Sequence, residues 1–198
     1  MKKWFVFLCS VFFLLNGCSL NQIKSNKITE TQSSSETKTD AKNVSEYATI
    51  QATVISVIDG DTIKVSINNK EEKVRFLLVD TPETVSPRVG VQPFGKKASN
   101  YTKSMLKKGT EVQIEKDVSE RDKYGRLLAY VYVNGQMINK LLLKEGLARV
   151  AYVYAPNTRY VDDFKKIQEE ARTEKKGIWS LEDYVHSDGF YLGIRNND

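Results

Sequence analysis

The chain has 198 residues, with 30 Lys and Arg against 25 Asp and Glu and a formal net charge of +5. Hydrophobic residues make up 40% and charged residues 28%, which is typical of a soluble globular domain and excludes a protein with several membrane spans. The single His excludes multi-histidine metal sites, and the two Cys exclude a disulfide framework and a four-cysteine zinc site.

Residues 1–17 are predicted to be a lipoprotein signal peptide. Lys2 and Lys3 precede an apolar run that has signal-peptide length and is too short for a stable membrane span. The run ends at Gly17-Cys18, which is similar to the bacterial lipoprotein cleavage box. We expect a lipid on Cys18 that anchors the protein at the extracytoplasmic face of the cell membrane. An ordinary secretory signal and an uncleaved anchor are the alternatives.

Residues 18–46 are predicted to be a flexible, disordered polar linker. Fifteen of these 29 residues are Ser, Thr, Asn or Gln, none is aromatic, and four Lys balance four acids. Such a segment buries too little apolar surface to offset its chain entropy. The remaining residues, 47–198, carry a net charge of only +3. The positions of the charges, not their sum, must therefore identify any nucleic-acid binding.

Residues 47–184 are predicted to form the folded domain, followed by a C-terminal tail at 185–198. Short β-rich segments separated by turn residues predict five strands, at 50–58, 62–67, 73–79, 111–115 and 127–133. Apolar residues at helical spacing predict three helices, at 93–106, 137–145 and 161–175. This order predicts an α+β fold, either a small closed barrel with three helices or an open meander with helices on one face. Closure of the barrel would remove exposed strand edges.

Four local patterns contain the polar residues that chemistry would need. They are Asp59-Gly60-Asp61-Thr62, then Arg75 with Asp80-Thr81-Pro82-Glu83-Thr84, then Asp122-Lys123-Tyr124-Gly125-Arg126, and Tyr152-Val153-Tyr154. Each pattern taken alone is explained by turn chemistry, by solvated charges or by half-buried tyrosines.

The combination of these patterns indicates a site that binds and cleaves a phosphodiester. Asp61 and Asp80 follow neighbouring strands of the predicted meander, so their carboxylates can converge, and hard divalent cations prefer such oxygen ligands. Guanidinium groups of Arg75 and Arg126 match phosphate oxygens, and the carboxylate of Glu83 can orient or activate water.

Over residues 50–183 the chain resembles the staphylococcal nuclease (thermonuclease) family. The four patterns occur in the family's order and continue through the segments 146–154 and 178–180. The resemblance implies a five-stranded OB-fold β-barrel with three helices. It also implies calcium-dependent hydrolysis of DNA and RNA that leaves 3′-phosphate products.

The resemblance also implies roles for single residues. Asp61 and Asp80 would supply carboxylates to Ca²⁺, and Thr81 would supply its main-chain carbonyl. Arg75 and Arg126 would grip the scissile phosphate. The remaining roles are water activation by Glu83, support of the metal ligands by Asp59, and contacts to the neighbouring phosphate and base by Lys123, Tyr124, Tyr152 and Tyr154.

Two other functions use the same residues. A nucleic-acid binding module would keep the basic groove and stacking tyrosines without turnover. A lipoprotein that binds phosphates of small nucleotides is a third reading. Binding alone needs no paired acids facing a polyanion, so retention of Asp61, Asp80 and Glu83 favours the nuclease. We expect a monomer whose partners are its DNA and RNA substrates and the membrane.

Overall fold

The computed structural model describes residues 47–192, so Cys18, the predicted signal peptide and linker, and residues 193–198 lie outside the described residues. The strands are β1 (Thr49–Asp59), β2 (Thr62–Ile67), β3 (Lys70–Phe76), β4 (Val79–Asp80), β5 (Glu111–Arg121), β6 (Leu127–Val133), β7 (Gln136–Met137), β8 (Arg149–Val150), β9 (Val185–His186) and β10 (Gly189–Phe190). The helices are α1 (Gly95–Met105), α2 (Ile138–Lys144) and α3 (Val161–Thr173), with a 3₁₀ turn at Gly177–Ser180.

Five strands close into a barrel. β1 pairs antiparallel with β2 and with β5, β2 pairs with β3, and β5 pairs with β6. A parallel pair between β3 and β6, with Val74 opposite Leu127, completes the circle. The predicted five-stranded OB-fold barrel with three helices is therefore confirmed. The open-meander alternative is wrong, because β3 is paired on both sides.

Alternating apolar side chains fill the barrel. Val54 of β1, Ile63 and Val65 of β2, and Ile114 of β5 are all at most 1% exposed. They lie on one face of their strands because successive side chains in a strand point to opposite faces. Since the interior is packed with apolar groups, the polar residues of the predicted site lie at strand ends and in the connecting turns.

The strand predicted at 73–79 lies three residues earlier in the structure, because β3 begins at Lys70 and ends at Phe76. Leu77 and Leu78 follow, and both are buried. A regular strand could not bury both on the same side, since its successive side chains point to opposite faces. Leu78 instead turns the chain, with φ of 61° in the left-handed region. The chain resumes as β4, which pairs with β8 and not with the barrel.

The strands predicted at 50–58, 62–67 and 127–133 agree with the structure to within one residue at each end. The strand predicted at 111–115 continues as β5 to Arg121, with an irregularity in its pairing with β6 after Lys116. Each α-helix begins and ends within two residues of its predicted position. No helix between residues 47 and 192 is long and apolar enough to cross a membrane.

A buried carboxylate fastens the segment before α3 to the barrel. Glu115 of β5 is fully buried and accepts hydrogen bonds from the hydroxyl groups of Tyr132 (2.7 Å) and Tyr160 (3.0 Å). Arg159 adds a charged donor at 2.6 Å. A buried charge is tolerated only when it is paired and hydrogen-bonded in this way.

Replacing Tyr132 with phenylalanine is expected to lower the free energy of unfolding by about 1.5–3 kcal/mol, because it removes a donor to a buried carboxylate and keeps the ring volume. Urea denaturation measures the change. Tyr154→Phe is the control: its ring is exposed, and its effect should stay within about 0.5 kcal/mol. Equal stability of the two variants would contradict the role given to the Glu115 network.

The residues predicted as a C-terminal tail begin with a folded hairpin. β9 pairs antiparallel with β10, and we call residues 184–191 the C-terminal hairpin. Tyr184 and Phe190 are buried and form an apolar cluster with Ile178 of the 3₁₀ turn. The strands are only two residues long, so their side-chain alternation was too short to predict them from the sequence.

Candidate active site

The strand ends and turns enclose a cleft of about 840 Å³ on the barrel surface. Residues from the β1–β2 turn, the ends of β3 and β4, the β5–β6 loop and the segment before α3 line it. The cleft brings together nearly all the predicted site residues: Asp59, Asp61, Arg75, Asp80, Glu83, Lys123, Tyr124, Arg126, Tyr152 and Tyr154. Thr81 is the exception, since it is buried behind Asp61 and does not line the cleft.

Thr62 and Thr81 fix the carboxylate of Asp61, which lies in the turn between β1 and β2. Its Oδ1 accepts a hydrogen bond from the Thr62 hydroxyl (2.9 Å). Its Oδ2 accepts from the main-chain N–H (3.0 Å) and hydroxyl (3.1 Å) of Thr81. Gly60 permits this approach, because a Cβ there would lie 2.7 Å from the Thr81 hydroxyl oxygen.

Arg75 lies between Asp61 and Asp80. Its Nη2 is 3.2 Å from Asp61 Oδ2 and 3.3 Å from Asp80 Oδ1. Its Nη1 donates to the carbonyls of Phe76 (2.8 Å) and Val79 (2.7 Å), which stabilises the bend after β3. The guanidinium therefore holds the bend and the two carboxylates in one arrangement.

Asp80 is also held from the opposite side of the cleft wall. Arg149 of β8 donates from Nε (3.1 Å) and Nη2 (2.9 Å) to Asp80 Oδ2. Burial and the nearby charge of Asp61 raise the pKa of Asp80, and the charges of Arg75 and Arg149 partly offset that rise. The pKa of Asp80 rises because its carboxylate is buried and is held close to the carboxylate of Asp61.

The donor set of the cleft fits a hard divalent cation. The residues that line it include neither His nor Cys, and carboxylate oxygens are the ligands that Ca²⁺ prefers. Between residues 47 and 192, no group of three or more His, Cys, Asp or Glu side chains forms a metal cluster. A cation here would therefore need main-chain carbonyl and water ligands beside Asp61 and Asp80, and the resemblance implies the Thr81 carbonyl as one of them.

Glu83 lies near three other acids. Burial, followed by the charges of Asp59 and Asp61 and a hydrogen bond with Asp59, raises the pKa of Glu83 from its ordinary 4.5 to about 7. Asp59 accepts hydrogen bonds from the hydroxyl (2.6 Å) and N–H (3.2 Å) of Thr84, so it supports the segment that carries Glu83. Gly95 at the start of α1 allows close packing, since a Cβ there would lie 2.6 Å from the Glu83 carbonyl oxygen.

The raised pKa of Glu83 predicts how stability depends on pH. The folded protein retains a proton on Glu83 that the unfolded chain loses above pH 4.5. In metal-free buffer, Glu83 therefore contributes a decrease in the free energy of unfolding as pH rises from 4.5 to about 7. Asp80 contributes with the same sign. Urea titrations at several pH values should show a shallower decrease for Glu83→Gln than for the wild type, whereas the exposed control Glu71→Gln should follow the wild type. Parallel curves for Glu83→Gln and the wild type would contradict the raised pKa.

Arg126 immediately precedes β6 and lines the same cleft as Glu83. Asp122 holds it in place: Asp122 Oδ2 is 2.7 Å from both Nε and Nη2 of Arg126, and Asp122 Oδ1 accepts the Arg126 main-chain N–H (3.0 Å). These donors lower the pKa of Asp122 against the opposing effect of burial. The guanidinium also lies 5.5 Å from the centre of the Tyr124 ring.

Three exposed tyrosines and a lysine form the outer wall of the cleft. Tyr124 and Tyr154 are each 71% exposed and Tyr152 is 56% exposed, although they are aromatic. Lys123 lies 5.2 Å from the Tyr124 ring, and Arg75 lies 5.3 Å from the Tyr152 ring. Exposed aromatic rings beside cations are the arrangement on which nucleic-acid bases stack.

Two charged residues of the site were not predicted from the sequence. Arg149 contacts Asp80 only because β8 pairs with β4, and the two residues are 69 positions apart. Asp122 belongs to the pattern Asp122-Lys123-Tyr124-Gly125-Arg126, four residues before Arg126. Its position in that turn is the signal that could have identified it as the partner of Arg126.

The sequence model of the family described as "Staphylococcal nuclease homologue" matches residues 73–181. The chain belongs to this family. It is 54% identical over 142 residues to endonuclease YncB of Bacillus subtilis (strain 168), which covers 71% of the chain and 67% of that protein. It is 49% identical over 127 residues to the thermonuclease of Staphylococcus hyicus, which covers 64% of the chain and 74% of that protein.

A third relative is the SPbeta prophage-derived endonuclease YokF of Bacillus subtilis (strain 168), with 54% identity over 142 residues. That match covers 71% of the chain but only 48% of the relative, so the chain spans about half of YokF. The resemblance to the staphylococcal nuclease family is thus confirmed. The prediction of a nuclease that hydrolyses phosphodiester bonds is confirmed at the level of the family.

Proposed function

We propose that this chain is a calcium-dependent nuclease that hydrolyses both DNA and RNA and leaves 3′-phosphate products. One observation carries the proposal: a single cleft places three carboxylates, those of Asp61, Asp80 and Glu83, together with the guanidinium groups of Arg75 and Arg126. Membership of the staphylococcal nuclease family supports the class of reaction. The dependence on calcium and the nature of the products rest on the chemistry of this cleft and on the resemblance.

The acids of the cleft divide into two roles. Asp61 and Asp80, with the main-chain carbonyl of Thr81, would hold Ca²⁺, which when bound offsets the negative charge of the phosphate. A site with only two carboxylates can be weak and still be filled outside the cell, where extracellular modules bind calcium at about 10⁻⁴–10⁻³ M.

Glu83 is the proposed general base. Its carboxylate accepts a proton from the attacking water as the water oxygen bonds to phosphorus. The bond from phosphorus to the 5′ oxygen breaks, that oxygen takes a proton from solvent, and the phosphate stays on the 3′ side. A base whose pKa lies near the working pH is suited to the first transfer. Burial and the neighbouring acids, which set the pKa near 7 in the absence of metal, place Glu83 in this range.

Arg75 and Arg126 are the proposed stabilisers of the transition state. Negative charge increases on the equatorial phosphate oxygens as water attacks, so donors fixed at those oxygens stabilise the transition state more than the ground state. Asp122 fixes Arg126, and Asp61 and Asp80 fix Arg75, so neither guanidinium needs to be ordered during the reaction.

Lys123, Tyr124, Tyr152 and Tyr154 are the proposed binding residues for the flanking nucleotides. Stacking on tyrosine rings tolerates any base because every base has a π-face, and a lysine binds phosphate as a point charge. Neither contact requires a particular sugar, which is the basis for proposing that both DNA and RNA are substrates.

Digestion of one DNA and one RNA substrate in Ca²⁺, Mg²⁺ or EGTA tests the proposal. We expect cleavage of both in Ca²⁺, little in Mg²⁺ because of its stricter octahedral geometry, and none in EGTA. Product ends should become labelled at the 3′ side only after phosphatase treatment. Tight binding without cleavage under all conditions would instead support the binding module, and full activity in EGTA would contradict the metal dependence.

We also propose that the protein is tethered outside the cell membrane by a lipid on Cys18. The charged start, the apolar run and the Gly17-Cys18 box support this placement. Cys18→Ala is expected to lose the mass of the lipid and to leave the membrane fraction or remain unprocessed. Cys9→Ala, within the predicted signal peptide, is the matched control and should keep the wild-type mass. Unchanged mass and membrane retention for Cys18→Ala would rule out the lipid anchor.

A further inference from the structure

The C-terminal hairpin lies beyond the segment matched by the family's sequence model, which ends at residue 181. The proposed mechanism assigns no role to this hairpin. Its buried residues Tyr184 and Phe190 pack with Ile178, so it is a folded element of the described chain. Two polar side chains connect it to acids of the cleft.

Arg149 is the first connection. It donates from Nε and Nη2 to Asp80 Oδ2, and from Nη1 to the carbonyl of Ser187 in the hairpin (3.0 Å). Its guanidinium also lies 5.4 Å from the centre of the Phe190 ring. Arg149 is only 6% exposed. One buried guanidinium therefore joins the hairpin to a predicted metal ligand.

Gln92 is the second connection. Its Nε2 donates to the carbonyl of Phe190 (2.6 Å), and its Oε1 accepts the main-chain N–H of Glu83 (2.8 Å). The main chains of the two residues are also bonded, since the N–H of Gln92 donates to the carbonyl of Glu83 (2.9 Å). In addition, the Tyr184 hydroxyl donates to the carbonyl of Pro93 (2.7 Å). The hairpin thus contacts the segment that carries Glu83.

We propose that the C-terminal hairpin positions the acids of the cleft, with Arg149 acting on Asp80 and Gln92 acting on Glu83. The inference rests on the proposed function, because Asp80 and Glu83 have their roles there. Groups that hydrogen-bond to metal ligands orient those ligands, and their loss typically costs about 10- to 100-fold in metal affinity or activity. A hairpin that only covers apolar surface would not depend on these polar contacts.

The test compares Arg149→Lys and Gln92→Leu with Ile178→Val. Lysine keeps the positive charge but cannot reproduce the fork that joins Asp80 and Ser187, and leucine keeps the size of Gln92 but removes both of its side-chain hydrogen bonds. Ile178→Val is the matched control, because it trims the same apolar cluster and removes no polar group. Calorimetric titration with Ca²⁺ alone, kcat and KM on DNA, and melting temperature are measured for each.

We expect Arg149→Lys and Gln92→Leu to weaken Ca²⁺ binding or lower kcat by about 10- to 100-fold, with little change in KM, since neither residue is proposed to touch the substrate. Ile178→Val should lower only the melting temperature. If all three variants lose only stability, with Ca²⁺ binding and kcat unchanged, the hairpin is a structural cap and the inference is wrong. If the wild type neither binds Ca²⁺ nor cleaves, the proposed function fails and the inference fails with it.

A measurement on the wild type covers the case in which a variant does not fold. The N–H of Tyr191 donates to the carbonyl of Tyr184 (3.0 Å) inside the hairpin. Because coupling between two sites is reciprocal, Ca²⁺ binding should slow hydrogen exchange of that amide. Unchanged exchange in a protein that binds Ca²⁺ would overturn the inference.

Discussion

Replacing Arg126 with alanine is expected to slow single-turnover cleavage about 100- to 1,000-fold, the usual cost of removing one donor that stabilises a transition-state oxyanion. Affinity for uncleaved nucleic acid should fall far less, because the added charge that Arg126 stabilises appears only during the reaction. Lysine at this position should not restore the rate, since a point charge cannot form a bidentate fork.

Asp122 and Arg172 provide comparisons for that experiment. Asp122→Asn keeps Arg126 but weakens the charged contact that orients it, so we expect a smaller loss of rate. Arg172→Ala removes an exposed arginine of α3 that is paired with Glu169, and its rate should equal that of the wild type. Equal losses of rate and affinity in Arg126→Ala would assign Arg126 to binding only.

Replacing Asp61 or Asp80 with asparagine is expected to abolish most of the calcium-dependent cleavage. A metal that offsets charge at the phosphate contributes several kcal/mol. At 1.36 kcal/mol per factor of ten, the loss of rate should reach about 100-fold or more. Asparagine is preferred to alanine because it keeps an oxygen acceptor for the partners of each aspartate, Thr81 for Asp61 and Arg149 for Asp80.

Calcium titration and cleavage rates on the same samples measure this effect. Asp163→Asn is the matched control, because Asp163 is an exposed aspartate of α3 paired with Lys140, outside the cleft. It should bind calcium and cleave like the wild type. Wild-type rates in both Asp61→Asn and Asp80→Asn would remove these residues from the metal site.

Much of the fold could be predicted from the sequence because turns, strand alternation and helical spacing are patterns of residues that lie close together along the chain. Turn residues such as Gly60 lie between strands in which apolar and polar residues alternate, and apolar residues at helical spacing define α1 and α3. The sequence placed the carboxylates of Asp61 and Asp80 together because both follow strands of the predicted meander, although in the structure Asp80 lies in β4, which pairs with β8. The match to the family's sequence model, over residues 73–181, includes three of the four patterns.

The bend after β3 could not be predicted from alternation. In the sequence, Leu77 and Leu78 continue the apolar pattern of a strand. In the structure both are buried and Arg75 donates to the Val79 carbonyl, and these contacts end the strand at Phe76. The position of Asp80 relative to the barrel depends on that bend.

The sequence by itself determined the chemical groups of the site and the family to which the chain belongs. Only the tertiary structure decided how those groups are held. Arg149 reaches Asp80 across 69 positions, and Gln92 reaches Phe190 across 98. Such contacts have no local signature, because a hydrogen bond between distant residues depends on the packing of the elements between them and not on the residues beside either partner.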